Sequence, residues 1–278
     1  MKIMNKIFNE NIELKFELNP FQIYSLKINE KEVIYQKNSN WNKSWPILFP
    51  VCGNINGSLE YNGKTIGLER HGFFKDITNW KIIDQKDSEI RLEYIFEEKW
   101  YKIYPFKFRL ELFLILNDKT FEFNIKVQNL QEEDMYFSLG HHPGFIFNQD
   151  SKISLNKEEY FTDDFEGGLV SSLEKNIRIK DITFNNLDFT DSKSYMKNSF
   201  TKQDIIFNNK DYNFKISTND FNDLIFWRES NECNFICIEN WNGIPDLLNK
   251  KSNELKDKEG IITLKKNQEK NFLLEIKF

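Results

Sequence analysis

A two-residue alternation between Phe106 and Val127 constrains the fold of this chain more than any other feature. Apolar side chains occupy every second position from Phe106 to Leu116, and again from Phe121 to Val127, on either side of the polar triplet 117–119. A period of two places alternate side chains on opposite faces of a β-strand, and a polar triplet between two such runs favours a turn. The segment therefore predicts a long antiparallel β-hairpin.

Shorter alternations of the same kind recur along the chain. The first runs from Ile12 to Leu18 and continues through Tyr24, Leu26 and Ile28. Each alternation indicates a strand with one buried face. Further strands are predicted at 33–35, 212–216, 223–227, 234–239, 261–264 and 272–278.

Turn-forming residues separate several of these runs. The Asn62-Gly63 pair predicts a tight hairpin, because both residue types accept the positive φ angles of a two-residue turn. Segment 45–50 contains two prolines, which cannot donate to a sheet ladder, so we expect it at a sheet edge or in a loop. Segment 148–210 mixes short apolar alternations with many polar breaks, and no element boundaries are predicted there.

The periodicities favour a single all-β sandwich domain spanning residues 1–278. The sequence has 27 phenylalanines and no alanine, so strand-favouring side chains are abundant and the best helix former is missing. A chain of 278 residues can bury one large β core. It shows no internal repeat and no linker rich in glycine, serine or proline.

Charge and cysteine content exclude several classes of partner. The net charge is -5, and acids and bases are interleaved without a dense basic cluster, so we expect no nucleic-acid partner. The first residues lead into no apolar signal region, and the apolar runs are too short to cross a bilayer. Three cysteines, Cys52, Cys233 and Cys237, form no paired framework, which fits a reducing compartment. We therefore expect a cytoplasmic protein without a membrane partner, and leave its oligomeric state open.

Glu239 is the first candidate for chemistry. In the run 235–239 the pleat puts Phe235, Cys237 and Glu239 on one face, and both faces are apolar until the carboxylate appears. Such a carboxylate has two explanations. It lies at an exposed strand end or in an ion pair, or it serves a functional site.

Histidine provides the other candidates, because the chain has only three. His141 and His142 are adjacent and precede a proline, which favours an extended backbone that turns the two rings to opposite sides. One of them at most should enter a site. His71 is followed by Gly72, which permits close backbone approach, and by Phe73, which offers an apolar face.

Other chemistries find little support in the sequence. Two adjacent histidines on an extended backbone chelate one ion poorly, and no HExxH or CxxC pattern is present, so we expect no metal site. There is no GxSxG nucleophile elbow and no phosphate-binding GK[ST] loop. Acid and base chemistry by histidine and glutamate remains, and it needs no cofactor.

Taken together, three ordered motifs resemble the aldose 1-epimerase (galactose mutarotase) superfamily, particularly its LacX-like branch. The segment Arg70-His71-Gly72-Phe73 is similar to its His-Gly-Phe motif, and Gly140-His141-His142-Pro143-Gly144-Phe145 to its Gly-x-His-Pro-x-Phe motif. The third stretch, the segment 238–246 from Ile238 to Asp246, contains Glu239 and falls where the family would have it. The proline-rich segment 46–50 and Tyr104-Pro105-Phe106 also fall where the family has them.

The resemblance implies a fold, an activity and roles for single residues. The fold would be an all-β galactose mutarotase-like supersandwich of antiparallel sheets with an open cleft. Glu239 would be the general base and His142 the general acid of an aldose 1-epimerase acting on a free hexose, while His71 would bind the sugar. The remaining expected substrate-binding residues are Asn54, Lys75, Phe73, Trp241 and Asp246. Phe73 and Trp241 could instead be ordinary core residues.

The sequence also departs from the family at three positions. Asn54 and Lys75 stand where many relatives carry arginine, and Asn240 stands where proline is usual between glutamate and tryptophan. These departures bear on substrate identity and weaken a phosphosugar hypothesis, since paired arginines are the better phosphate clamps. A non-catalytic carbohydrate-binding or sugar-sensing protein and a hexose-phosphate epimerase remain the alternatives.

Overall fold

The computed structural model describes residues 4–38 and 41–278, and its regular structure is almost entirely β. In chain order the strands of the first half are β1 Met4–Phe8, β2 Ile12–Leu18, β3 Phe21–Ile28, β4 Lys31–Glu32, β5 Ile47–Leu48, β6 Leu59–Tyr61, β7 Lys64–Ile66, β8 Lys81–Gln85, β9 Glu89–Ile95, β10 Phe108–Asn117, β11 Thr120–Asn129, β12 Met135–Phe137 and β13 Leu139–His141.

The second half is built in the same way. Its strands are β14 Gly144–Ile146, β15 Lys152–Phe161, β16 Phe165–Glu166, β17 Leu169–Val170, β18 Ile177–Thr183, β19 Ser194–Lys197, β20 Ile205–Asn208, β21 Asn213–Ser217, β22 Asp223–Trp227, β23 Phe235–Asn242, β24 Ile262–Leu264 and β25 Glu269–Lys277. Short 3-10 helices occur at Phe74–Asp76, Glu98–Trp100, Thr190–Ser192 and Leu255–Asp257. No helix in the described residues is long and apolar enough to cross a membrane.

The predicted long hairpin is confirmed and forms the centre of the largest sheet. Strands β10 and β11 pair antiparallel with Leu112 opposite Ile125, and the turn lies at Asp118 and Lys119. Asp118 has a φ of 51°, the left-handed conformation that a tight turn needs. The nine-stranded sheet has the order β18-β15-β20-β21-β25-β11-β10-β9-β8.

A second sheet lies against the first and closes the sandwich. It has the order β19-β22-β23-β13-β5, and β14 also pairs with β23. Aromatic side chains join the two layers: the ring of Phe123 on β11 lies 4.9 Å from that of His141 on β13, and Phe121 lies 5.9 Å from Trp45. These contacts put a continuous apolar core between the sheets and confirm the predicted β-sandwich.

Several local predictions are confirmed as well. The Asn62-Gly63 pair joins β6 to β7 with both residues at positive φ. The proline-bearing segment 45–50 provides β5, which lies at the edge of the second sheet. The strand predicted at 223–227 is β22, with those bounds.

The sequence interpretation of strand β3 is corrected. The alternation through Tyr24 fails, because Lys15 pairs with Ser25 and Phe16 with Ile23, so that Tyr24 is an extra residue in the register of β3 and is only partly buried. This bulge shifts the phase of β3. Segment 148–210, where no boundaries were predicted, forms β15 to β20, and an irregularity between Ser154 and Glu159 interrupts its longest pairing.

The layer contacts of Phe123 predict a large stability effect. Its side chain is fully buried, so Phe123→Ala should lower the free energy of unfolding by about 3–5 kcal/mol, the usual cost of a lost core aromatic ring. Urea unfolding followed by tryptophan fluorescence measures the change. Phe113→Ala is the matched control, since Phe113 is partly exposed on β10. Equal losses in the two variants would contradict the assignment of Phe123 to the inter-sheet core.

Candidate active site

Glu239 lies inside the central strand of the second sheet. Strand β23 pairs with β22 on one side and with β13 and β14 on the other, and all eight of its residues are buried. The strand continues to Asn242, so the carboxylate is not at an exposed strand end, and its residue is only 1% exposed. Among the described residues, no group donates a hydrogen bond to Glu239 Oε2. A buried acceptor without a donor marks a place that a ligand can complete.

His142 supplies the partner of this carboxylate. Its Nε2 lies 3.3 Å from Glu239 Oε2. The backbone N–H of His142 donates to Pro46 O at 2.9 Å, which fixes the chain between β13 and Pro143. Trp41 stacks on the imidazole ring at 5.5 Å, and Trp227 approaches it edge-on at 5.6 Å. Aromatic walls on two sides hold the ring in position.

The adjacent histidine points the other way, as the pleat predicts. His141 is fully buried in the core, where Trp45 Nε1 donates to its Nδ1 at 3.2 Å. Burial lowers the pKa of His141 to about 3, so this ring is a neutral core residue. The prediction that the two rings cannot share one site is confirmed.

Burial also sets the protonation of the His142–Glu239 pair. Desolvation lowers the pKa of His142 to about 3 and raises the pKa of Glu239 well above its ordinary value. Both shifts disfavour charge, so burial favours a protonated carboxyl beside a neutral imidazole. That arrangement is a tautomer of the carboxylate–imidazolium pair with the same number of protons. In either form the pair offers one proton donor and one proton acceptor.

His71 adds a third polar group, and its hydrogen bond determines which ring nitrogen carries the proton. Gly53 N–H donates to His71 Nδ1 at 3.1 Å, which leaves the Nε2 of the neutral ring as a donor. Burial is the main reason that the pKa of His71 lies well below its usual range. The ring meets those of His142 and Trp241 edge-on at 5.8 and 5.7 Å.

The backbone at His71 is strained, and the next position requires glycine. His71 has a φ of 64°, which is uncommon for a residue with a side chain. Gly72 also has positive φ, and a Cβ there would lie 2.2 Å from Phe49 O. The close approach inferred for Gly72 is therefore confirmed, and strained backbone of this kind is often kept for function.

These groups open into a cleft of 740 Å³, a size typical of small-molecule sites. Asn54, His71, His142, Glu239 and Trp241 all line it, so the structure brings five of the predicted residues together. The Nδ2 group of Asn54 donates to Gly167 O at 2.7 Å on the cleft wall.

A second cavity of 480 Å³ adjoins the cleft and shares His142 with it as a lining residue. Lys75, another predicted residue, lines it together with Lys43 and Trp41. Arg70, His71, His142, Trp227 and Glu229 line both spaces.

Two predicted substrate-binding residues lie elsewhere. Phe73 is a core residue that stacks on Trp100 at 4.4 Å and does not line either cavity, because its backbone turns the ring inward against the first sheet. Asp246 is buried in an ion pair, 2.7 Å from Lys258 Nζ and 3.0 Å from Lys250 Nζ. The pKa of Asp246 is lowered because these cations outweigh its desolvation. Neither residue lines the cleft or the adjoining cavity.

Three side chains beside His142 were not predicted from the sequence: the rings of Trp41 and Trp227 and the thiol of Cys237. Trp41 lies in a loop without periodicity, while Trp227 and Cys237 are register partners on β22 and β23, so only the sheet pairing reveals their position. The ligand atoms of His142, Cys237 and Glu239 all lie within 4.8 Å of one another. These three buried groups form a set that could hold a metal ion.

The comparisons with known proteins agree with this geometry. A family model described as aldose 1-epimerase matches residues 22–277. The chain is 24% identical over 280 residues to the chromosomal protein LacX of Lactococcus lactis subsp. lactis, covering 90% of this chain and 91% of that protein.

Two solved structures show the same fold. A galactose mutarotase related enzyme from Lactobacillus acidophilus has a TM-score of 0.86 at 23% identity, over 99% of this chain and 97% of its own. A galactose mutarotase-like protein from Lactobacillus casei has a TM-score of 0.84 at 21% identity, over 99% of both chains. The predicted galactose mutarotase-like supersandwich is thereby confirmed.

The buried ion pair of Asp246 predicts a loss of stability without a loss of ligand binding. Asp246→Asn removes the charge that compensates Lys258, so the free energy of unfolding should fall by about 3–5 kcal/mol. Because Asp246 does not line the cleft, the folded fraction of the variant should bind a given sugar with the same affinity as the wild type. Thermal unfolding and isothermal titration of the sugar measure the two effects. Lost sugar affinity with unchanged stability would make Asp246 a ligand contact instead.

Proposed function

The chain belongs to the aldose 1-epimerase family, and we propose that it interconverts the α and β anomers of a free hexose. The observation that carries the proposal is the pair His142 and Glu239, whose Nε2 and Oε2 atoms lie 3.3 Å apart and which both line the cleft of 740 Å³. An anomer exchange requires one proton acceptor and one proton donor near the same ring, and this pair supplies both.

The reaction opens and recloses the pyranose ring. Glu239 as carboxylate takes the proton of the anomeric hydroxyl while His142 as imidazolium gives a proton to the ring oxygen. The C1–O5 bond breaks and C1 becomes an aldehyde. After rotation about the C1–C2 bond, the two residues return the protons in the reverse sense and the bond reforms on the other face. No electron is gained or lost, so no redox cofactor is required.

The surroundings suit the ring-opened intermediate. His71 Nε2–H points from a neutral ring and can donate to a sugar oxygen without adding charge. Trp241 lines the cleft beside it and offers an aromatic face for the C–H side of the sugar. The empty hydrogen-bonding position at Glu239 Oε2 is where the anomeric hydroxyl would dock.

We also propose that residues 1–278 form one domain and that the protein works in the cytoplasm. The nine-stranded sheet combines strands from β8 to β25 and so joins distant parts of the chain. Cys52, Cys233 and Cys237 are free and buried thiols, as suits a reducing compartment.

The proton-transfer role of Glu239 has a direct test. Glu239→Gln keeps the shape of the side chain but removes the base, so anomer interconversion should slow by about two to four orders of magnitude. One-dimensional NMR on anomerically pure galactose and glucose measures the rate above the uncatalysed background. The control is Glu229→Gln, a carboxylate that lines the same cleft but does not face His142 in an ion pair.

Two outcomes of this assay would contradict the proposal. Wild-type rates in Glu239→Gln would remove Glu239 as the base. An inactive wild-type protein that still binds aldoses would favour the non-catalytic sugar-binding alternative.

A hexose phosphate is the second candidate substrate, favoured by one observation. Lys43, Arg70 and Lys75 line the cavity that adjoins His142. Among the described residues, Lys43 and Arg70 form no ion pair, and the pKa of Lys43 is lowered by burial and then by the other two cations. Lys75 pairs with Asp76 at 2.6 Å, and the carboxylate of Glu229 lies on the same wall. The net excess of positive charge fits a phosphate group.

The substrate alternative is tested at Arg70. If the substrate is phosphorylated, Arg70→Gln should lower kcat/KM for galactose 6-phosphate about tenfold or more, the scale of one lost charged hydrogen bond, and change galactose turnover less. Lys81→Gln on the exposed strand β8 is the matched control. Equal effects of Arg70→Gln on both sugars would leave the free hexose as the substrate.

A further inference from the structure

We propose that His142, Cys237 and Glu239 form a binding site for a thiophilic divalent cation such as Zn²⁺, and that its occupation inhibits the enzyme. The three side chains offer one nitrogen, one sulfur and one oxygen within 4.8 Å of one another. The inhibition rests on the proposed anomer exchange, whereas the binding does not.

Strand geometry places the three donors together. Cys237 and Glu239 are two positions apart on β23 and therefore project from the same face of the sheet. His142 reaches that face from the segment beside β23, where Gly144 on β14 pairs with Cys237. Strand β23 therefore supplies two of the donors, and the adjacent segment of the same sheet supplies the third.

The distances match a zinc polyhedron. Zinc bonds of about 2.0–2.3 Å to nitrogen, oxygen and sulfur give tetrahedral edges of about 3.3–3.6 Å between the donors. His142 Nε2 and Glu239 Oε2 are already 3.3 Å apart. The thiol of Cys237 lies within 4.8 Å of both donor atoms, so a shift of about 1 Å completes three corners.

The donor set selects the kind of metal. A thiolate with an imidazole favours Zn²⁺ and related thiophilic ions over Mg²⁺ and Ca²⁺, which prefer oxygen ligands. On binding, the thiol of Cys237 gives up its proton to solvent, and any proton on His142 Nε2 or Glu239 leaves in the same way. Because His142 and Glu239 line the cleft, water from the cleft would complete the coordination.

The cation can reach this position through the cleft. His142 and Glu239 line the 740 Å³ space, whereas Cys237 is fully buried behind them. An incoming ion therefore meets the two catalytic groups first and the thiol last.

The surroundings suit an inhibitory ion better than a resident cofactor. A metal-binding histidine normally donates its second N–H to a fixed partner, but among the described residues His142 Nδ1 has no hydrogen-bond partner. The ion would also bind the same Nε2 and carboxylate oxygen that move protons in the proposed reaction. Metal binding and proton transfer are mutually exclusive at these atoms.

Inhibition is measured by titrating Zn²⁺ into the anomer-exchange assay, each protein being compared with its own metal-free rate. The wild type should lose activity and recover it with a chelator. Cys237→Ser and Cys237→Ala should raise the half-inhibitory concentration of Zn²⁺ by at least about tenfold. Mutating a residue that only orients a metal ligand already costs that much metal affinity, and these variants remove a ligand itself. Cys233→Ser is the matched control and should leave the inhibition unchanged, because the Cys233 Sγ lies within hydrogen-bond distance of the carbonyls of Ser230 and Phe235, at 3.2 and 3.3 Å, and is not one of the three proposed ligands.

A second measurement needs no turnover. Co²⁺ added to the wild-type protein should produce a thiolate-to-cobalt charge-transfer absorption that Cys233→Ser retains and both Cys237 variants lose. If the protein epimerises no sugar, this spectrum still decides whether the site binds a metal. The absence of the band, or equal inhibition of wild type and both Cys237 variants, would overturn the proposal.

Discussion

The site depends on a carboxylate buried inside a central strand. Glu239 belongs to β23, whose residues are buried on both faces, and an isolated charge there would be strongly unfavourable. One ionisable partner, His142, lies across from it at 3.3 Å. Since burial disfavours charge on both groups, the pair presents one proton donor and one proton acceptor to the cleft. The protonation of the pair therefore follows from its desolvation.

Two adjacent histidines connect this site to the core. His141 is anchored between the sheets by Trp45 and by the ring of Phe123. Because the backbone is extended, anchoring one ring to the core turns the next one, His142, into the cleft. The packing of the sandwich therefore orients the proposed proton donor, and a residue without catalytic contact determines the position of its neighbour.

The sequence predicted what depends on local pattern and missed what depends on pairing between distant segments. The β10–β11 hairpin was predictable, because its alternation and turn lie in one stretch. The bulge at Tyr24 was not, because it arises from the register of two strands. Among site residues, Glu239, His142 and His71 could be predicted from motifs. Phe73 was misplaced because a phenylalanine beside a motif looks the same whether it faces a sugar or Trp100.

The geometry that suits proton exchange also suits a metal ion. A donor and an acceptor must lie close to a common sugar ring, and a nitrogen–oxygen separation of 3.3 Å is also the edge of a tetrahedral zinc site. What separates the two functions is the third group. A residue without a donor atom at position 237 would leave only two ligands, whereas Cys237 supplies a soft third one from the same face of β23. The proposed susceptibility to thiophilic metals therefore depends on that one side chain, which adds a third ligand to the pair that the proposed acid–base chemistry uses.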